Sequence, residues 1–413
     1  MRRELLGRLI GTVVVVMSAP VTAQTPTSHA QMSHDHGGAT SACNSPTLAC
    51  ATKVTPAFAA DGTLWLAWMA AGIVSVAHSQ DGGRTFSPAV AVNPTPLDLD
   101  WGPDARPKIA IDGDGRIFVA FAIFKDKAFN GEVFYTRSAD GGHSFEPPRP
   151  ITTNQESQRF EAIALDPNGA LFAAWLDKRN RAPAKERNEK YVGAGLAFTW
   201  SDDHGAGVAE STLAVDNTCE CCRLGIGFVG PGQPVVAFRN VFGGTVRDHA
   251  VITFADPHTP GPVQRISVDD WKTDVCPHQG PSLAVASGGT YHVTWFTNGN
   301  VRKGVFYANS RDGGRTFSDP VAIGQPGRNP SRPFLLEVRG ALWLTWKEFD
   351  GEDTTVTTMV SHDDGRTWSA PKTVAQTADT SDHPLLTTDG KTAYLSWQTK
   401  NEGYHLIALR DVP

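Results

Sequence analysis

The chain has 413 residues, 40% of them hydrophobic and 19% charged, with 40 glycines and 28 prolines. That length would hold two or three average domains, but so many turn formers suit one large all-β repeat unit better than a helical assembly. The formal net charge of −6 supplies no basic surface, so no nucleic-acid partner is expected.

The N-terminus reads as an export signal over residues 1–23. Arg2, Arg3 and Arg8 give a basic start, Leu9–Met17 a short apolar core, and Val21-Thr-Ala23 a small-residue cleavage site. The apolar core is too short to span a bilayer. The mature chain is therefore expected in the periplasm or secreted, away from the membrane once the signal is removed. Residues 24–47 are rich in His, Ser and Thr and have too little apolar surface to bury a core, which predicts a disordered linker. Within it, Met32-Ser-His-Asp-His-Gly37 and His29 offer loose metal ligands.

Residues 48–413 are expected to form a single monomeric domain with a repeating grammar. Strands rich in Trp and Phe recur seven times, with cores such as Leu64-Trp-Leu-Ala-Trp68, Leu171-Phe-Ala-Ala-Trp175 and Leu342-Trp-Leu-Thr-Trp346. A second element recurs beside them. Ser79-Gln-Asp-Gly-Gly-Arg-Thr-Phe86, Ser138-Ala-Asp-Gly-Gly-His-Ser-Phe145, Ser310-Arg-Asp-Gly-Gly-Arg-Thr-Phe317 and Ser361-His-Asp-Asp-Gly-Arg-Thr-Trp368 are near copies, and Ser201-Asp-Asp-His-Gly205 is a worn fifth. Asp accepts backbone N–H groups across such a turn, and Gly supplies its positive φ. First strands start at Thr55, Arg106, Phe160, Arg223, Gly280, Arg332 and His383. Successive starts lie 51 to 63 residues apart, the range expected for four-stranded propeller blades. The expected fold is an all-β propeller of antiparallel blades, seven favoured over six. The last unit runs out after three strands, and the segment near Leu48–Val54 is the expected donor of its fourth.

The Ser-x-Asp-x-Gly-x-Thr-Phe turns resemble the Asp-boxes, or BNR repeats, of the sialidase (neuraminidase) superfamily, over nearly all of residues 50–413. The resemblance implies a propeller whose repeated turns lie on the face opposite the active site. It also implies an arginine triad for a sugar carboxylate, a Tyr nucleophile activated by Glu, and an Asp acid/base. Only part of that set is matched. Glu161 follows a first-strand start and is the candidate base, and Asp104 the candidate acid, with Asp98 and Asp100 near it. The tyrosines fall in second or third strands except Tyr191, so sialidase chemistry is poorly supported.

First-strand starts line the axis of a propeller, which brings Arg106, Arg223, Arg332 and His383 to one mouth. Three guanidinium forks from alternating blades would hold a carboxylate, phosphate or sulfate. The competing reading pairs each Arg with a local acid and ties blades together. Arg159, Arg239 and Arg247 join the candidate ligand-binding set, and the ligand class is a small anion or carbohydrate. If the chain is an enzyme, a glycosidase of sialidase type is the candidate.

Two adjacent units add cysteines at the mouth: Cys219-Glu-Cys221-Cys222-Arg223 and Cys276-Pro-His278-Gln-Gly-Pro281. Together with a later Phe-Arg-Asn, this pattern resembles a group of exported bacterial proteins labelled sialidase-like. Cys221, Cys222, Cys276 and His278 form a set of soft donors for copper or zinc. Export favours disulfides instead, with Cys43–Cys50 a natural local pair and the other four free to make two bridges. Asp112-Gly-Asp-Gly115 resembles the start of a calcium loop but lacks its closing Glu, and is expected to be a turn.

Overall fold

Seven antiparallel sheets follow one another in the computed structural model, which describes residues 43–102 and 104–410. The export signal and the linker up to residue 42 lie outside the described residues. Each sheet begins with an inner strand: Lys53–Phe58, Lys108–Ile111, Gln158–Leu165, Gly225–Gly230, Ser282–Val285, Ser331–Val338 and Leu385–Thr388. Every inner strand packs beside the next, and the seventh packs beside the first, so the ring closes as a seven-bladed propeller.

The second strands are the Trp- and Phe-rich runs, and they are buried on both faces because each blade is covered by its two neighbours. This explains why their apolar residues run on instead of alternating. Trp68, Trp175, Trp295 and Trp346 are among the largest fully buried side chains. Their indole N–H groups are satisfied by the Pro46 carbonyl, Asp177, Asp269 and Glu348, respectively. Buried indoles keep a partner because an unpaired N–H would cost about 1–3 kcal/mol.

The repeated turn joins third and fourth strands, as its position predicts. In blade one the Ser79 hydroxyl donates to Asp81 Oδ1 at 2.8 Å and accepts the Gly83 N–H at 2.8 Å. Asp81 in turn accepts the Thr85 N–H and hydroxyl at 2.9 and 2.6 Å. The same bonds recur around Asp140, Asp312 and Asp363. Hydrogen bonds from Thr316 and Thr367 hold Asp312 and Asp363 down to about 2. Asp112 Oδ1 accepts the Asp114 and Arg116 N–H groups, so Asp112–Gly115 is a turn.

Two blades depart from the regular pattern. Blade four carries two short outer strands, Thr259–Pro260 and Gln264–Arg265, both paired with its third strand. Blade seven has three strands, and the expected fourth is not one. Leu48–Cys50 forms a 3-10 turn packed beside Gly403–Ala408, because the Cys50 and Ala51 N–H groups bond back to the Thr47 and Leu48 carbonyls. Among the described residues, no helix is long and apolar enough to cross a membrane.

Candidate metal centre at the propeller mouth

The face opposite the repeated turns carries the starts of the inner strands and the loops between second and third strands. Two inner strands are bulged there, at Phe160–Glu161 and at Arg332–Pro333. Phe160, Arg332 and the nearby His278 all hold positive φ, at 58°, 55° and 47°. Bulges re-aim side chains, and bulky residues in this region carry strain that surrounding contacts must sustain.

The ring arginines are engaged by acids on the axis. Arg106 holds Asp382 through two bonds of 3.0 and 2.9 Å, and Lys53 reaches the same carboxylate at 3.1 Å. Despite burial, Arg106 and Lys53 keep Asp382 down at about 2. Arg332 lies 3.3 Å and Arg223 4.0 Å from Asp104, whose side chain is fully buried, and His383 Nδ1 lies 3.7 Å away. Burial, then Arg332 and Arg106, push His383 well below its ordinary value, so it is neutral. Asp104 therefore serves as an internal counter-ion between Arg223 and Arg332.

The other candidate ligand groups are similarly occupied. Arg159 forks onto Asp100 at 2.6 and 2.9 Å. Arg239 donates to the Arg247, Gln279 and Phe296 carbonyls and stacks over Trp271. Tyr191 donates to Asp216, which with burial raises its hydroxyl far above the usual range. Glu161 is buried with Oε2 lacking a hydrogen-bond partner. Burial raises its carboxyl to about 7, against the pull of Lys108, which burial lowers to about 8.

The cysteines behave differently from the arginines. Cys43 and Cys50 are joined in a disulfide, but Cys219, Cys221, Cys222 and Cys276 are free thiols, contrary to the two further bridges expected from export. Cys219 and its neighbours sit in one short loop, with Cys219 Sγ equally near two partners, 3.6 Å from Cys221 and 3.8 Å from Cys222. Cys221 also groups with Cys276 and His278, all three ligand atoms lying within 4.8 Å of one another. Three of the thiols are buried, whereas Cys276 is partly exposed beside the open Val275 and gives the cluster an approach from solvent.

Asp104 also joins the two cysteine loops. Its Oδ2 accepts the Arg223 N–H at 3.1 Å and the Gly280 N–H at 2.8 Å. A Cβ on Gly280 would stand 2.2 Å from the Arg223 carbonyl oxygen, so the loops meet this closely only with glycine there. Arg332 donates to the His278 carbonyl. From the other side, Arg247 donates to Cys219 Sγ at 3.2 Å and to the Thr273 carbonyl at 2.8 Å. Hydrogen bonds from Cys221 and Cys222, with Arg239 and Arg247 nearby, push the Cys219 thiol well below its ordinary value. The sequence did not identify Asp382, Lys53 or Lys108 as axial residues, although each lies within two residues of an inner-strand start.

No protein-family model and no curated protein matches the chain. Its fold is nevertheless shared with solved structures. An ulvan lyase from a new family of polysaccharide lyases superposes with a TM-score of 0.54 at 12% identity, covering 87% of this chain and 94% of the lyase. The same lyase bound to a glucuronate–sulfated rhamnose unit superposes with a TM-score of 0.54 at 11% identity, over the same shares of both chains. Polysaccharide lyase Uly1 gives 0.50 at 8% identity, covering 84% and 86%. These likenesses establish a propeller fold shared with carbohydrate-active enzymes, and fold alone assigns no chemistry.

Proposed function

We propose that this chain is an exported, periplasmic or secreted propeller that binds a soft d10 metal ion, copper(I) or zinc, at Cys219, Cys221, Cys222, Cys276 and His278. One observation carries the reading: the 3.6 and 3.8 Å separations of the Cys219 sulfur from those of Cys221 and Cys222. Thiolates bound at about 2.3 Å to one ion stand about 3.8 Å apart in a tetrahedral shell and about 4.0 Å apart in a trigonal one. Thiols acting only as small core groups have no reason to converge in this way. Arg239 and Arg247 supply positive charge beside the cluster, which offsets the charge of several thiolates on one ion.

The test is metal content together with a free-thiol count, on protein purified from a periplasmic fraction. Bound copper or zinc that shields these thiols from alkylation supports the reading. Metal-free protein with Cys219, Cys221, Cys222 and Cys276 all oxidised overturns it.

A second reading, a small anionic or carbohydrate ligand at the same mouth, is favoured by the charge on the axis. Among the described residues, Lys53, Arg106, Lys108, Arg223, Arg332 and Lys347 outnumber the carboxylates of Asp104, Glu161 and Asp382 set among them. The cationic surplus would attract a carboxylate or sulfate, and exposed Trp101 and Phe129 on blade-two loops offer faces for a sugar ring. Glu161, raised to about 7, is the group with which such a site would move a proton. A screen of sialosides and uronate oligosaccharides for binding and turnover tests it; no binding to any of them removes it.

A further inference from the structure

The donors divide into two sets: Cys219, Cys221 and Cys222 in one, and Cys221, Cys276 and His278 in the other. Cys221 belongs to both. We propose that the mouth holds two metal ions bridged by the Cys221 thiolate, an inference that rests on the metal-binding reading above.

The two sets differ in chemistry and position. The first contains three sulfurs, all buried, within one loop between blades three and four. A three-thiolate set of this kind suits a trigonal copper(I) ion, because soft sulfur donors select that ion and no water is required. The second contains two sulfurs and an imidazole and spans the loops leading into blades four and five, with Cys276 partly exposed. It is the more accessible set and closes only when the two loops are held together. The fold holds them through the two backbone bonds to Asp104 and the Arg332 bond to the His278 carbonyl.

A thiolate has more than one lone pair and bridges soft ions readily. Cys221 is the residue placed to do so, since it is the member common to both groups. Its sulfur has Cys219 on one side, 3.6 Å away, and the Cys276–His278 pair within 4.8 Å. An ion in each set would share that sulfur, and filling the inner set leaves a bound thiolate as a preformed ligand for the outer ion.

The experiment loads the full chain anaerobically with copper(I) in acetonitrile and measures ions per chain by mass spectrometry. Copper-edge X-ray absorption on the same sample looks for a metal–metal scattering shell. Two ions with that shell are expected. Cys276→Ser should retain one ion, Cys222→Ser should retain one in the outer set, and Cys221→Ser should lose the shell. Thermal melts confirm that each variant is folded. A single ion per wild-type chain without the shell overturns the two-ion centre and leaves the metal-binding reading intact. No bound ion overturns both.

Discussion

Asp104 Oδ2 accepts the Gly280 N–H at 2.8 Å across 176 residues of chain, and the same oxygen accepts the Arg223 N–H at 3.1 Å. One carboxylate therefore anchors both cysteine loops while neutralising Arg223 and Arg332. Asp104→Asn keeps the shape but leaves two buried guanidinium groups without their counter-ion. The expected cost is about 3–5 kcal/mol of stability, with copper(I) affinity reduced about 10–100-fold through loss of loop positioning. Unchanged stability and affinity would show that the axial carboxylate has neither role.

Gly280 tests the same junction without altering charge. Gly280→Ala places a methyl 2.2 Å from the Arg223 carbonyl and 2.6 Å from its N–H nitrogen, so one loop must move. The contact lies just before the inner strands Gly225–Gly230 and Ser282–Val285, not within them. The variant should fold and melt cooperatively yet bind copper(I) at least about tenfold more weakly. Wild-type affinity in a folded Gly280→Ala protein would place the cluster's integrity elsewhere.

Asp382 is the corresponding point on the other side of the ring. Its carboxyl is held down at about 2, so its share of stability is complete above about pH 4 and is lost as pH falls through 2. The shift from 3.8 is worth about 2 kcal/mol at neutral pH. Asp382→Ala strands both Arg106 and Lys53 and should cost about 3–5 kcal/mol. Denaturant melts from pH 2 to pH 7 check both expectations. A mutant curve parallel to wild type across that range would contradict the pairing.

Glu161 has the opposite sign. Its raised carboxyl contributes stability that is full below 4.5 and declines as pH rises through about 7. Glu161→Gln removes that titration, so melting temperature should vary less between pH 5 and pH 8 than in wild type. Parallel profiles would mean that the group titrates normally.

Much of the architecture was legible from the chain. The repeated Ser-x-Asp turns and the continuous Trp-rich strands are local signals, and their order fixes which strand ends share a face. Counting inner-strand starts brought Arg106, Arg223, Arg332 and His383 to one mouth. It did not reveal their partners, because Arg106–Asp382 and Lys53–Asp382 span 276 and 329 residues and exist only after the ring closes. The bulges that turn Phe160 and Arg332 to positive φ leave no mark in residue type. Cys219–Cys222 and Cys276–His278 were visible as neighbours, but compartment alone argued for disulfides. The approach of Cys221 and Cys222 to the Cys219 sulfur, at 3.6 and 3.8 Å, is a property of the folded loop.

A thiolate metal centre is tested most directly by copper(I) affinity in chelator competition, comparing wild type with Cys221→Ser, which removes the donor common to both sets. Wild type should outcompete the chelator, and the variant should bind more than about 100-fold more weakly. Equal binding by the two proteins, or none by either, would rule out a thiolate metal centre at the mouth.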